Sequence, residues 1–208
     1  AAEKAAVAKK VSAFTGLSED YLIKANLRVN LPQFNAELMR SRGLTAGRID
    51  ARFTGYTLDL LTEGAENDPE GPAVGGAFTA LINMYNHDEL KFGKDMVYRN
   101  TKIEPGWNWT RGGGGGSFFP TAPNTQDDLA QAMVTNPRLL VQVENGYYDM
   151  ATPFFASEFT AHHLGLPADL QKNITLKYYT AGHMMYLQDA DRVKLHDNVA
   201  AFIDRATK

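Results

Sequence analysis

Two residues in the C-terminal third have the types and spacing for acid–base chemistry: Asp149 in NGYYDMATP (145–153) and His183 in TAGHMMY (180–186). Each segment follows a β-like apolar run and precedes a helix-like stretch. The two side chains are therefore expected on loops at the same edge of one sheet. A carboxylate and an imidazole in that order are the last two members of a Ser…Asp…His triad whose nucleophile comes first in the chain. The imidazole moves the proton of an attacking hydroxyl, and the carboxylate fixes its tautomer. Histidine suits the task because its unperturbed pKa of ~6.5 lies close to working pH. A separation of 34 residues fits one crossover helix and one strand. No G-x-S-x-G occurs in the 208 residues, so the nucleophile is missing from this pattern. Asp is also common in post-strand turns, and a lone His after Gly is often a simple loop residue. Spacing alone leaves both readings open.

The other polar clusters are weaker. His162 and His163 are adjacent on an expected helix and point about 100° apart, which disfavours shared metal ligation. His87 and His196 fall in amphipathic patterns as surface or rim residues. Asp59, Glu63, Glu66, Asp68 and Glu70 lack the spacing of a calcium loop and read as a solvated acidic loop. Hydrophobic residues at 44% and charged residues at 22% are ordinary for a globular chain. The formal charge of −3, with Lys and Arg scattered, gives no electrostatic reason to expect nucleic acid. No apolar stretch approaches the ~18 residues of a membrane span. With no cysteine, thiol nucleophiles, thiolate metal sites and disulfides are excluded.

The elements that must position the pair read as mixed α/β. Residues 2–14 carry helical spacing that Gly16 can stop, Ser18 caps a short helix to about Asn26, and Asn30 with Pro32 opens a helix ending at Gly43. Between residues 47 and 76 the pattern is lost, which predicts a lid-like loop region. Helical spacing returns over 77–90, and 96–102 is expected as a short strand. The glycine run 112–117 reads as a flexible connection, either an inserted linker or a natural loop. No Lys-Ser/Thr follows it, so it is not a phosphate cradle. Thr125 or Asn124 caps a helix to Met133. Strands are expected over 139–144 and 174–179, with helices over 153–164 and 189–206. Helix–strand alternation of this kind implies parallel strands with crossovers, whose functional loops lie at the carboxyl ends.

Two motifs resemble the serine carboxypeptidase family of α/β-hydrolases, particularly its bacterial members. Gly146, Asp149 and Pro153 match an acid motif G-x-x-D-x-x-x-P, and Gly182, His183 and Met184 match a G-H motif followed by Met or Glu. The longer texts NGYYDMATPFFASEFTAHHLGL and ITLKYYTAGHMMY are similar to those sequences. NLRVN, RIDARFTG and PGWNW look like the family's helical insertion. The resemblance covers nearly the whole chain but only the C-terminal portion of a full-length member. It implies the end of an α/β-hydrolase fold, contributing its last parallel strands and helices, plus a mostly helical cap. Residues 1–111 would be the cap, 112–117 a glycine-rich linker or loop, and 118–208 the C-terminal part of the hydrolase core.

What the resemblance implies for function is an exopeptidase that removes C-terminal residues through an acyl-enzyme, in a periplasmic or secreted setting and with no metal or organic cofactor. Asp149 would be the triad acid, His183 the general base and acid, and Met184 a wall of the leaving-group pocket. A Pro often follows the family's histidine motif; here Met184-Met185-Tyr186-Leu187 follows, a departure that bears on the shape of that pocket. The nucleophilic serine is then expected on a partner, an N-terminal chain or fragment, with a peptide as substrate. Its absence would equally follow if the chain were a fragment of a longer one or an inactive homologue. The chain's opening in mid-helix pattern favours a processed piece or a fragment. The same pair would serve an esterase or acyltransferase, and a non-catalytic binding protein on the same scaffold is the rival from another class.

Overall fold

The computed structural model describes residues 2–96, 98 and 124–208. It is a mixed α/β structure with small sheets of parallel and antiparallel strands. The glycine run 112–117 lies outside the described residues, as does most of the expected strand 96–102.

Helix α1 (Ala2–Thr15) ends where Gly16 takes a left-handed φ of 77°. Helix α2 (Glu19–Lys24) starts at Ser18, whose side chain accepts from the Tyr21 N–H. Helix α3 (Leu31–Leu38) carries a reciprocal cap: Asn30 accepts from Gln33 N, and the Gln33 side chain accepts from Asn30 N. It ends earlier than the pattern predicts, because a tight 3₁₀ turn (Arg40–Arg42) leads into Gly43. Ala8, Leu17 and Leu22 form the core of these helices, with Phe34 and Leu38 packed against it.

The expected irregular stretch is only partly irregular. β1 (Leu44–Ala46) pairs antiparallel with β2 (Thr54–Tyr56), and α4 (Glu70–Met84) begins well before residue 77. A single π-helical turn (Tyr85–Glu89) follows α4. Strands of three residues are too short to show a period of two, and Gly71, Gly75 and Gly76 mask the helical signal of α4.

Helix α5 (Gln126–Thr135) receives no cap from the Thr125 side chain; Asn124 Oδ1 instead accepts from Gln126 N. β3 (Val141–Gly146) and β4 (Ile174–Tyr179) pair side by side, joined through α6 (Phe154–His162) and the short α7 (Ala168–Gln171). The crossover makes this pair parallel. Helix α8 (Asp189–Ala206) closes the chain over the expected span. Among the described residues no helix is long and apolar enough to cross a membrane.

The chain packs as two compact units. One comprises Ala1–Val74, Gln142–Ser157 and Leu176–Lys208; the other comprises Gly75–Val141 and Glu158–Thr175. In the first, Tyr179, Ala181 and Met185 are buried with Leu195 against them. Tyr179 donates to Glu144 and accepts from Asn198, and its burial pushes the phenol up to about 12. In the second, Met133 is fully buried and Gln126 bonds to Thr160.

Candidate active site

All the groups of the site belong to the first unit. β3 ends at Gly146 and delivers Asp149 three residues later; β4 ends at Tyr179 and delivers His183 four residues later. The two loops continue the pairing of the strands, with Tyr147 N donating to Tyr179 O and Tyr148 N donating to Ala181 O. This extension brings the two side chains together. His183 Nδ1 lies 2.8 Å from Asp149 Oδ2. A carboxylate only accepts, so Nδ1 is the donor in this bond, and in the neutral imidazole Nε2 is then the nitrogen that can accept a proton.

Asp149 is held from several sides. Its Oδ1 accepts from the Ala151 and Thr152 backbone N–H groups at 2.9 and 2.8 Å, and its Oδ2 accepts from the Thr152 hydroxyl at 2.5 Å. The same Thr152 oxygen lies 3.3 Å from His183 Nδ1. The Asp149 side chain is 5% exposed whereas the His183 side chain is 51% exposed. The acid is therefore fixed and screened from water, and the imidazole is presented outward. Met184 is half-buried in the following residue position.

Three of the other histidines have local partners, and His162 is exposed at the end of α6. His163 stacks on Phe159 and its Nδ1 bonds to the Phe159 carbonyl; His87 bonds to the Gly93 carbonyl; His196 pairs with Asp197. The solvated acidic loop needs correction at two positions. Asp59, Glu63 and Glu66 are exposed, but Asp68 accepts from the Arg48, Ile49 and Glu70 N–H groups, and Glu70 is buried at 1% exposure. Among the described residues, neither carboxyl oxygen of Glu70 has a hydrogen-bond partner. Burial, with the nearby charges of Asp50 and Asp68, pushes Glu70 up to about 7 against the opposing pull of His183 and Arg52.

A segment between β1 and β2 touches both loops, a role the sequence did not single out. Ala51 N donates to Tyr148 O and Met150 N donates to Arg48 O on the acid side. On the histidine side, His183 N donates to Ile49 O at 2.9 Å and Gly182 N donates to the buried Asp50 Oδ2 at 2.9 Å. Arg52 grips Asp50 through Nε and Nη2, and its Nη1 donates to Thr180 O at 2.7 Å. Its guanidinium also lies over the Tyr148 ring. Burial pushes the Asp50 carboxyl up, but the hydrogen bonds from Arg52 and Gly182 outweigh it and hold Asp50 below the usual range. The cue in the sequence was slight: two opposite charges two residues apart in a segment without periodicity.

The packing here leaves no room for a methyl group. A Cβ on Gly182 would stand 2.4 Å from Asp50 Cβ, and one on Gly146 would stand 2.2 Å from Gly182 O. Both motif glycines are thus required for close approach of the three segments. No family model matches this chain, and no curated protein or solved structure is significantly similar to it.

Proposed function

We propose that Asp149 and His183 are the acid and base of a serine-type carboxypeptidase, and that the nucleophilic serine is supplied by an N-terminal chain or fragment. The observation that carries the reading is the 2.8 Å contact between His183 Nδ1 and Asp149 Oδ2, with the imidazole half exposed. A buried, well-bonded carboxylate behind an outward imidazole is the arrangement such a proton shuttle requires. The parallel pair β3–β4 with its crossover is compatible with the end of an α/β-hydrolase sheet, the finer fold we propose.

In the reaction, His183 Nε2 takes the proton of the serine hydroxyl as that oxygen bonds to the scissile carbonyl carbon. The C–N bond breaks as the same proton passes to the leaving amine, giving the acyl-enzyme and a free C-terminal residue. Water then attacks the acyl carbon and gives a proton to Nε2; the ester C–O bond breaks as that proton passes to the serine oxygen, which releases the shortened peptide. Asp149 keeps Nδ1–H in place and stabilises the imidazolium throughout. Met184, next to the base, is proposed as a wall for the departing residue.

The test is fluorophosphonate labelling of the natural protein followed by intact mass. We expect label on an associated chain that carries G-x-S-x-G, and loss of labelling in His183→Ala. Absence of such a chain together with no labelled protein contradicts the proposal.

A further inference from the structure

We infer that Asp50 and Arg52 are positioning residues for the catalytic imidazole, acting through the backbone of Gly182 and Thr180. The inference rests on the reading of Asp149 and His183 as the acid–base pair and adds the device that holds the base in place.

The ring of His183 can be aligned on Asp149 only if the loop behind it is fixed. Its pairing with the acid loop ends at Ala181, so strand pairing no longer determines the path of Gly182 and His183. Three contacts from one segment replace it: Asp50 Oδ2 accepts from Gly182 N, Ile49 O accepts from His183 N, and Arg52 Nη1 donates to Thr180 O. Arg52 also bonds to Gln188 Oε1, just before α8, which ties the far end of the loop to the same guanidinium. The fork of Arg52 on Asp50 uses both carboxylate oxygens, so the acceptor facing Gly182 cannot rotate away.

The segment is itself braced. Asp68 accepts from Arg48 N and Ile49 N, and Gly47 N donates to Phe53 O, closing the connection between β1 and β2 on itself. Because the same segment bonds to Tyr148 and Met150, it sets the base loop relative to the acid loop. A purely structural ion pair would need none of these contacts to converge on Thr180, Gly182 and His183.

The experiment is ¹⁵N NMR of the full chain, reading the His183 tautomer and the low-field Nδ1–H resonance that its bond to Asp149 produces. Wild type is expected to show the Nδ1–H tautomer with that resonance. Asp50→Ala and Arg52→Ala are expected to lose it, while Asp50→Asn, which keeps one oxygen for Gly182 but breaks the two-oxygen grip of Arg52, is expected to weaken it. Asn30→Ala, which removes only the α3 cap, serves as the control for general destabilisation and retains it. If the alanine variants do not fold, Arg52→Lys is read instead and is expected to weaken the resonance, since one ammonium cannot hold both Asp50 and Thr180. Persistence of the full signal in every folded Asp50→Ala, Arg52→Ala or Arg52→Lys protein overturns the inference. Its absence from wild type contradicts the acid–base pair itself.

Discussion

The backbone N–H of Gly182 donates to the carboxylate of Asp50 at 2.9 Å across 132 residues of sequence. One end of this bond lies in the connection of a short hairpin, and the other lies beside the exposed imidazole. The contact shows that the histidine loop is finished by the first quarter of the chain, and several consequences can be measured.

The first concerns space. With Asp50 Cβ only 2.4 Å from the site of an added methyl, Gly182→Ala must displace the loop or the hairpin connection. Overpacking of this kind costs about 1–3 kcal/mol, and contact with backbone on the other side places the cost at the upper end. Urea denaturation should show a loss of at least ~2 kcal/mol. A variant within ~0.5 kcal/mol of wild type would mean that the three segments are not so closely apposed.

A second consequence follows from Glu70. In the folded chain it titrates at about 7, against an ordinary value of 4.5. The folded state therefore retains a proton that the unfolded state has already released between those values. Stability from this group is complete below pH 4.5, falls as pH rises through the window, and is fully lost above pH 7. The size is on the order of 1–3 kcal/mol, from ~1.4 kcal/mol per pKa unit and some relief by water. Glu70→Gln should flatten this pH dependence, being more stable than wild type at pH 8 and similar at pH 4.5. Parallel stability curves for the two proteins would refute it.

Thr152 supplies the third. Its hydroxyl donates to Asp149 Oδ2 and sits 3.3 Å from His183 Nδ1. Thr152→Val keeps the shape and the backbone N–H but removes that donor. A hydrogen bond to a charged group contributes about 1.5–3 kcal/mol, so a loss of that order is expected in thermal or urea unfolding. An unchanged midpoint would show that the carboxylate is held by backbone groups alone.

The helix starts offer a fourth, independent of the site. Asn30→Ala removes one half of the reciprocal cap with Gln33 and should cost ~1 kcal/mol by urea unfolding. No change would indicate that the cap is not formed in solution.

Local patterns made some of this structure readable and concealed the rest. The alternation in ITLKYY coincides with β4, the long amphipathic run coincides with α8, and Ser18 and Asn30 cap the helices they precede. Asp149 and His183 were legible because each follows a strand whose end could be located. Asp50, Arg52 and Glu70 were not. Apart from the local pairing of Asp50 with Arg52, their partners lie far along the chain or, for Glu70, are absent among the described residues, and neither condition leaves a periodic trace. The buried Glu70 looked like one more acid in a charged loop, because a sequence records charge and not the walls around it.

The central claim is that His183 moves the proton for an acyl-enzyme reaction. It is tested most directly by release of the C-terminal amino acid from an N-blocked dipeptide, using the natural protein with its associated chain. His183→Ala is predicted to lower kcat by on the order of 10⁴-fold or more while the far-ultraviolet circular dichroism stays that of wild type. A folded His183→Ala protein that releases the residue at the wild-type rate would contradict the account.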